Sequence, residues 1–176
     1  MLPIPLVLFL IATLHAGNVN AQPSSLKKWG RPLRFEDFLG RPNATDTAAA
    51  NISVSIVLGY GSDANGNLRF TVYAAMDKNE SWIKDRFRLY HILRHEEGHL
   101  DIAQIHAAKL AAVLAGKRFT EVDIETLNAL YASHVEEMNI QQLAYDRETN
   151  GGWNEQAQSR WRVQIQSELA DSHGLE

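Results

Sequence analysis

His95-Glu96-Glu97-Gly98-His99 lies inside a helical pattern, apolar at three- and four-residue spacing, that runs from about Ser81 to about Ala115. At about 3.6 residues per turn the two histidines are about 40° apart around the axis and one turn apart along it, so both imidazoles can reach one ion. Glu96 is rotated about 100° from His95. It need not bind the metal, and can instead hold a water at an open coordination position and take its proton. The spacing therefore points to metal-assisted hydrolysis with zinc as cofactor, His95 and His99 as ligands and Glu96 as base. The plainer alternative is two partly buried histidines and a solvated glutamate. Gly98 weighs against it: glycine costs a helix about 1 kcal/mol relative to alanine, which implies that something approaches the backbone closely there.

Around this helix the chain reads as strand-rich first and helical afterwards. Residues 22–26 form a Pro/Ser-rich linker, and Trp29 to Pro42 mixes aromatics with turn residues as irregular structure. Ile52, Val54, Ile56 and Leu58 alternate with serines, and Leu68, Phe70, Val72, Ala74 and Met76 alternate with Arg69, Thr71 and Tyr73. With Asn65-Gly66 between them, the two runs predict an antiparallel hairpin. The motif helix is expected to open with Ser81 as N-cap and to stop at Gly116 in a left-handed conformation. A second helix opens at Thr120 and fades near Asn150-Gly151-Gly152. A third, about Glu155 to Ala170, buries Trp161, Ile165 and Leu169.

Zinc hydrolysis needs a third protein ligand, which the local sequence does not supply. Position 105 is Ile, and His106 lies about 10 Å beyond His99 along the axis, too far to share its ion. His91 reads as a core or supporting residue, and Glu97 and Asp101 as surface carboxylates. The short connection at Lys117 to Phe119 makes the second helix an antiparallel neighbour of the first. Reflecting positions 95–99 through it lands near residues 137–141, on an inward stripe of Leu127, Leu130, Tyr131, His134, Met138, Gln141 and Tyr145. Glu137 and His134 are candidates on this geometry, and Asp146 is reachable if the helix ends or bends there. The three remain open.

The 176 residues, 45% hydrophobic and 22% charged, suit one domain with one core. A formal charge of −4 without any Lys/Arg run argues against nucleic acid as a partner. Ile4 to Leu14 is an apolar run of signal-peptide length, followed by Val19-Asn20-Ala21 as a small-residue cleavage site before Gln22. The leader is thus expected at 1–21 and a single domain at 22–176, exported to a periplasmic or extracellular location, with no stable membrane span after cleavage. With no cysteine, the exported chain holds itself together without disulfides.

Several stretches carry a resemblance that covers almost the whole chain after the leader. They are Arg31-Pro32-Leu33-Arg34-Phe35-Glu36-Asp37-Phe38-Leu39-Gly40-Arg41-Pro42, Ser81-Trp82, His95 through Ala103, and Tyr145-Asp146-Arg147-Glu148-Thr149 followed by Asn154, Gln158 and Trp161. The chain resembles the predicted secreted zinc-dependent proteases of bacteria catalogued as domain of unknown function 922, a family similar to the zincins. The resemblance implies His95 and His99 as zinc ligands, Glu96 as base, Asp146 as third ligand and Tyr145 as a hydroxyl near the developing oxyanion, acting on a peptide or protein. One departure stands out: the family pattern has a His two positions after Thr149, where this chain has Gly151. The expected fold is α+β and zincin-like, a small antiparallel sheet packed on a helix hairpin with a third C-terminal helix. Two other readings are a non-catalytic exported module that binds peptide or envelope components, and a hydrolase of non-peptide amides.

Overall fold

The computed structural model describes residues 25–30, 32–120 and 123–173. The expected leader and its cleavage site lie outside them. Strands β2 (Ala50–Ser62) and β3 (Leu68–Ile83) form the expected antiparallel hairpin. Ile52, Val54, Ile56 and Leu58 are all buried on its inner face. Its turn is tied by Asp63, whose Oδ1 accepts from the backbone N–H of Asn65 and of Asn67 at 2.9 and 3.0 Å. A short strand β1 (Leu26–Lys28) pairs antiparallel with the other edge of β3, giving the order β1-β3-β2. That strand occupies part of what reads in sequence as linker, and at three residues it is too short for an alternation to show.

Ser81 does not cap a helix. It lies inside β3, fully buried, at an irregularity where the pairing register with β2 shifts. Its hydroxyl donates to Asp77 O at 2.6 Å and accepts from Ser53 N at 2.9 Å, closing backbone groups that the shift would leave unpaired. Trp82 and Ile83 after it are good strand formers. The motif helix, α1 (Tyr90–Ala115), has Leu89 as its N-cap and therefore begins eight residues later than the sequence implies.

Helix α1 is the middle layer, packed against β2 and β3 on one side and against α2 (Ile124–Thr149) and α3 (Glu155–His173) on the other. It accordingly buries Ile92, Leu93, Leu100, Ile102, Ile105 and Leu110 around most of its circumference. Gly116 ends it in a right-handed conformation, φ −77°, because the last turn tightens with Lys117 N donating to Leu114 O at 3.3 Å. At the next helix, Asp123 accepts from both N and Oγ1 of Thr120, at 2.8 and 2.9 Å. This closes a turn first and delays α2 to Ile124. Its other end is as expected: Asn150, Gly151 and Gly152 all take positive φ, turning the chain back into α3. An added Cβ on Gly152 would come within 2.8 Å of His95 Cβ, so α3 folds directly over the motif. The architecture is α+β, with Trp161 and Ile165 of α3 in the core and Leu169 packed at its edge. Among the described residues no helix is long and apolar enough to cross a membrane.

Candidate metal centre

Two facing helices bring three ligand atoms together. Nε2 of His95 and Nε2 of His99, one turn apart on α1, are 3.2 Å from each other. Asp146 of α2 sets its Oδ1 3.0 Å from the first and 3.1 Å from the second. Bond lengths of about 2.0–2.1 Å place neighbouring ligands of one tetrahedral zinc roughly 3.3 Å apart, close to this triangle. All three side chains are buried. The cluster can hold a metal ion.

Glutamines fix which ring nitrogen faces inward. Gln142 donates its amide N–H to the carbonyl of His99 at 2.9 Å, so its Oε1 is turned to accept from Nδ1–H of the same residue. Gln158 of α3 donates to the Tyr145 hydroxyl, which leaves its Oε1 to accept from Nδ1–H of His95 at 3.3 Å. Thr149 Oγ1 lies 3.4 Å from the same nitrogen. With both Nδ1 atoms protonated, both Nε2 lone pairs point at Asp146, the arrangement a cation needs and a proton only partly satisfies. Sequence reasoning assigned no role to Gln142, Thr149 or Gln158. Gln142 and Thr149 do sit one turn either side of Asp146, on the same stripe of α2.

Electrostatics follow from burial. Burial works against the charged ring of His99, but the Asp146 carboxylate beside it more than reverses this and raises the pKa to about 9. Burial likewise opposes ionisation of Asp146, and the two imidazoles overcome it, holding the carboxyl well below its usual range. His95 is pushed down by burial. Glu96, also buried, is pushed up to about 8 by desolvation, although the His99 ring favours its charge. Without a metal, then, His99 carries the extra proton and donates into the triangle. A cation must displace it. Zinc titrated into the metal-free Glu96→Gln variant at pH 7.5 is expected to release about one proton per ion, and binding should tighten about tenfold per pH unit up to about pH 9. Calorimetry in buffers of different ionisation enthalpy measures both; release of no proton would mean that His99 is neutral beforehand.

The remaining sequence candidates resolve individually. Glu137 and His134 do not reach His95 and His99; they gather with His106 further along the helix pair. Asp101 is not a free surface carboxylate, because it is partly buried and accepts from Trp29 Nε1 at 2.7 Å, with desolvation raising its pKa to about 6. Glu97 is partly buried and paired with Arg94 at 2.9 Å. Tyr145 is fully buried with its ring stacked on His95, and its hydroxyl donates to the His95 carbonyl at 3.2 Å while accepting from Gln158. That hydroxyl is committed to holding His95. At Gly151 an added Cβ would meet nothing within 4 Å, and the triangle is complete without a side chain there.

The close approach inferred at Gly98 is Tyr145. A Cβ on Gly98 would fall on the tyrosine hydroxyl and 2.8 Å from its Cζ. Gly98→Ala, which would gain about 1 kcal/mol in an open helix, is expected instead to lose about 2–3 kcal/mol, since a fully buried ring has nowhere to move. Denaturant unfolding measures this; a gain in stability would mean that the helices separate freely at this point.

No curated protein matches this chain, and no solved structure does. Residues 67–152 match the model of a family described as a bacterial protein of unknown function, DUF922. That span, over which the chain is similar to this family, holds His95, Glu96, His99 and Asp146 and stops short of Gln158.

Proposed function

We propose that this protein is an exported zinc-dependent peptidase, with His95, His99 and Asp146 holding the ion and Glu96 acting as general base. The observation that carries this reading is the pairing of an oriented two-imidazole, one-carboxylate triangle with a buried carboxyl one residue along the same helix. Two neutral imidazoles and one anion leave a bound zinc with net positive charge, and when bound it supplies Lewis acidity toward a water and a scissile carbonyl. Glu96 accepts the proton of the attacking water and returns it to the departing amine nitrogen. Desolvation raises the pKa of this carboxyl to about 8 in the metal-free chain, and a cation bound beside it favours the ionised form that accepts a proton. Gln142, Gln158, Thr149 and Tyr145 act as positioning residues. They fix ring orientation so that no ligand has to reorganise.

One observation favours the second reading, a non-catalytic exported module. His95, Glu96, His99 and Asp146 are each at most 6% exposed. A cleft of about 200 Å³ between α1 and α3 is lined by Gly98, Tyr145, Gln158 and Arg162 but by none of those four. Incubation of the zinc-loaded chain with a mixed peptide library, with and without a chelator, separates the readings. The peptidase reading expects cleavage that the chelator stops and zinc restores. Absence of cleavage at full zinc occupancy would leave the binding module.

A further inference from the structure

The structure assigns a second cation site to the seam between α1 and α2, formed by His106 with His134 and Glu137, for a divalent transition-metal ion of the zinc class. Each of the three offers one ligand atom, and these atoms lie within 4.8 Å of one another. The site is separate from the first, because His106 lies about 10 Å along α1 from His99 at about 1.5 Å per residue.

His106 is buried, and its environment fixes its tautomer. Its Nε2 is 2.8 Å from Oε1 of Gln141. Gln141 is held in that orientation because its amide nitrogen faces the Glu168 carboxylate, 3.4 Å from each oxygen. Nε2 of His106 therefore carries the proton, and the lone pair is left on Nδ1. That Nδ1 is buried with no hydrogen-bond partner among the described residues, and the same is true of Nδ1 of His134 on the facing helix. A buried polar atom without a partner costs about 1–3 kcal/mol, so two ring nitrogens in one seam beside a carboxylate need a common explanation. One cation satisfies both.

The plan repeats that of the first centre. Two imidazoles and one carboxylate converge from the same two helices, and a glutamine of α2 orients the α1 histidine: Gln142 for His99, Gln141 for His106. The difference lies in preparation. Here His134 is half-buried and Glu137 exposed, so these two close onto an ion by rotamer changes while His106 stays fixed. Ordering them makes this the weaker of the two sites. Its effect is to clamp α2 to α1 next to Gln142, fixing the register that delivers Asp146.

Zinc titration of the metal-free full chain against a chromophoric chelator tests this. The wild type should take up about two equivalents, the weaker of which weakens at least about tenfold in His134→Ala and in Glu137→Gln, while the tighter is untouched. Both substituted side chains reach the surface, so folding is preserved. Asp146→Ala should show the reverse, losing the tighter equivalent alone. Uptake of a single equivalent that Asp146→Ala abolishes, or two equivalents unchanged in both seam variants, overturns the proposal. A single equivalent kept by Asp146→Ala and lost in His134→Ala would uphold this site and sink the reading of the first centre. No uptake at all sinks both.

Discussion

Glu96→Gln is expected to keep zinc bound, to lower peptide hydrolysis at least about a hundredfold, and to raise the melting temperature of the metal-free chain at pH 7. The first two effects follow from a base that is not a ligand. The third follows from burial. In the folded chain the Glu96 carboxyl holds its proton up to about pH 8, whereas in the unfolded chain it loses it near 4.5. Between those values the folded state binds more protons than the unfolded one, so stability falls as pH rises. At pH 7 the accumulated cost is of the order of 3 kcal/mol, which the amide avoids by never ionising. For a chain of this size that corresponds to a rise of about 5 °C or more. At pH 4 the two proteins should melt alike. A variant that loses activity and stability together at pH 7 would mark Glu96 as a structural residue.

Asp146→Ala carries the other large effect. Removing the shared carboxylate takes away one ligand, and the affinity of this centre for zinc should fall at least about a hundredfold, beyond what loss of a merely supporting residue costs. The metal-free chain should also report it. With the carboxylate gone, burial of His99 is opposed only by Glu96 and by the hydrogen bond to Gln142, and its pKa should fall from about 9. The proton chemical shifts of the imidazole measure that directly. Asp146 stabilises the metal-free fold wherever it is ionised and unfolded carboxylates are too, so the destabilisation should be largest near neutrality and fade as the solution is acidified. An Asp146→Ala protein that binds zinc within about threefold of wild type would remove Asp146 from the ligand set.

The helix carrying His95, Glu96 and His99 was legible because helical spacing is a local property, and those side chains converge whatever the rest of the chain does. The third corner of the triangle was not. Reflecting the motif through the helix hairpin pointed to residues 137–141, whereas the partners of His99 and His95 are Gln142 and Asp146, about one turn further on. The cause is visible at the connection: α2 opens at Ile124 and not at Thr120, because Asp123 captures Thr120 in a closed turn first. Four residues of delay are about one helical turn. The same shift sends His134 and Glu137 to His106. Asp146 was one of three candidates that the geometry left open, and only the resemblance of its surrounding segment singled it out. Ser81 misled for the opposite reason: its hydroxyl suits an N-cap locally, and only the distant strand β2 turns it into a strand staple.

The tautomer of His95 depends on Gln158, which lies sixty-three positions downstream in the last helix. A polypeptide is made amino end first, so His95, His99 and Asp146 are all in the chain before the residue that aims one of them has been added. Until α3 swings back across the Asn150–Gly152 turn, the histidine ring is free to rotate and the motif has two loose imidazoles and no defined pocket. A chain cut after residue 152 would retain His95, Glu96, His99 and Asp146 and still lack the means to organise them. Maturation of the centre is thereby tied to completion of the chain.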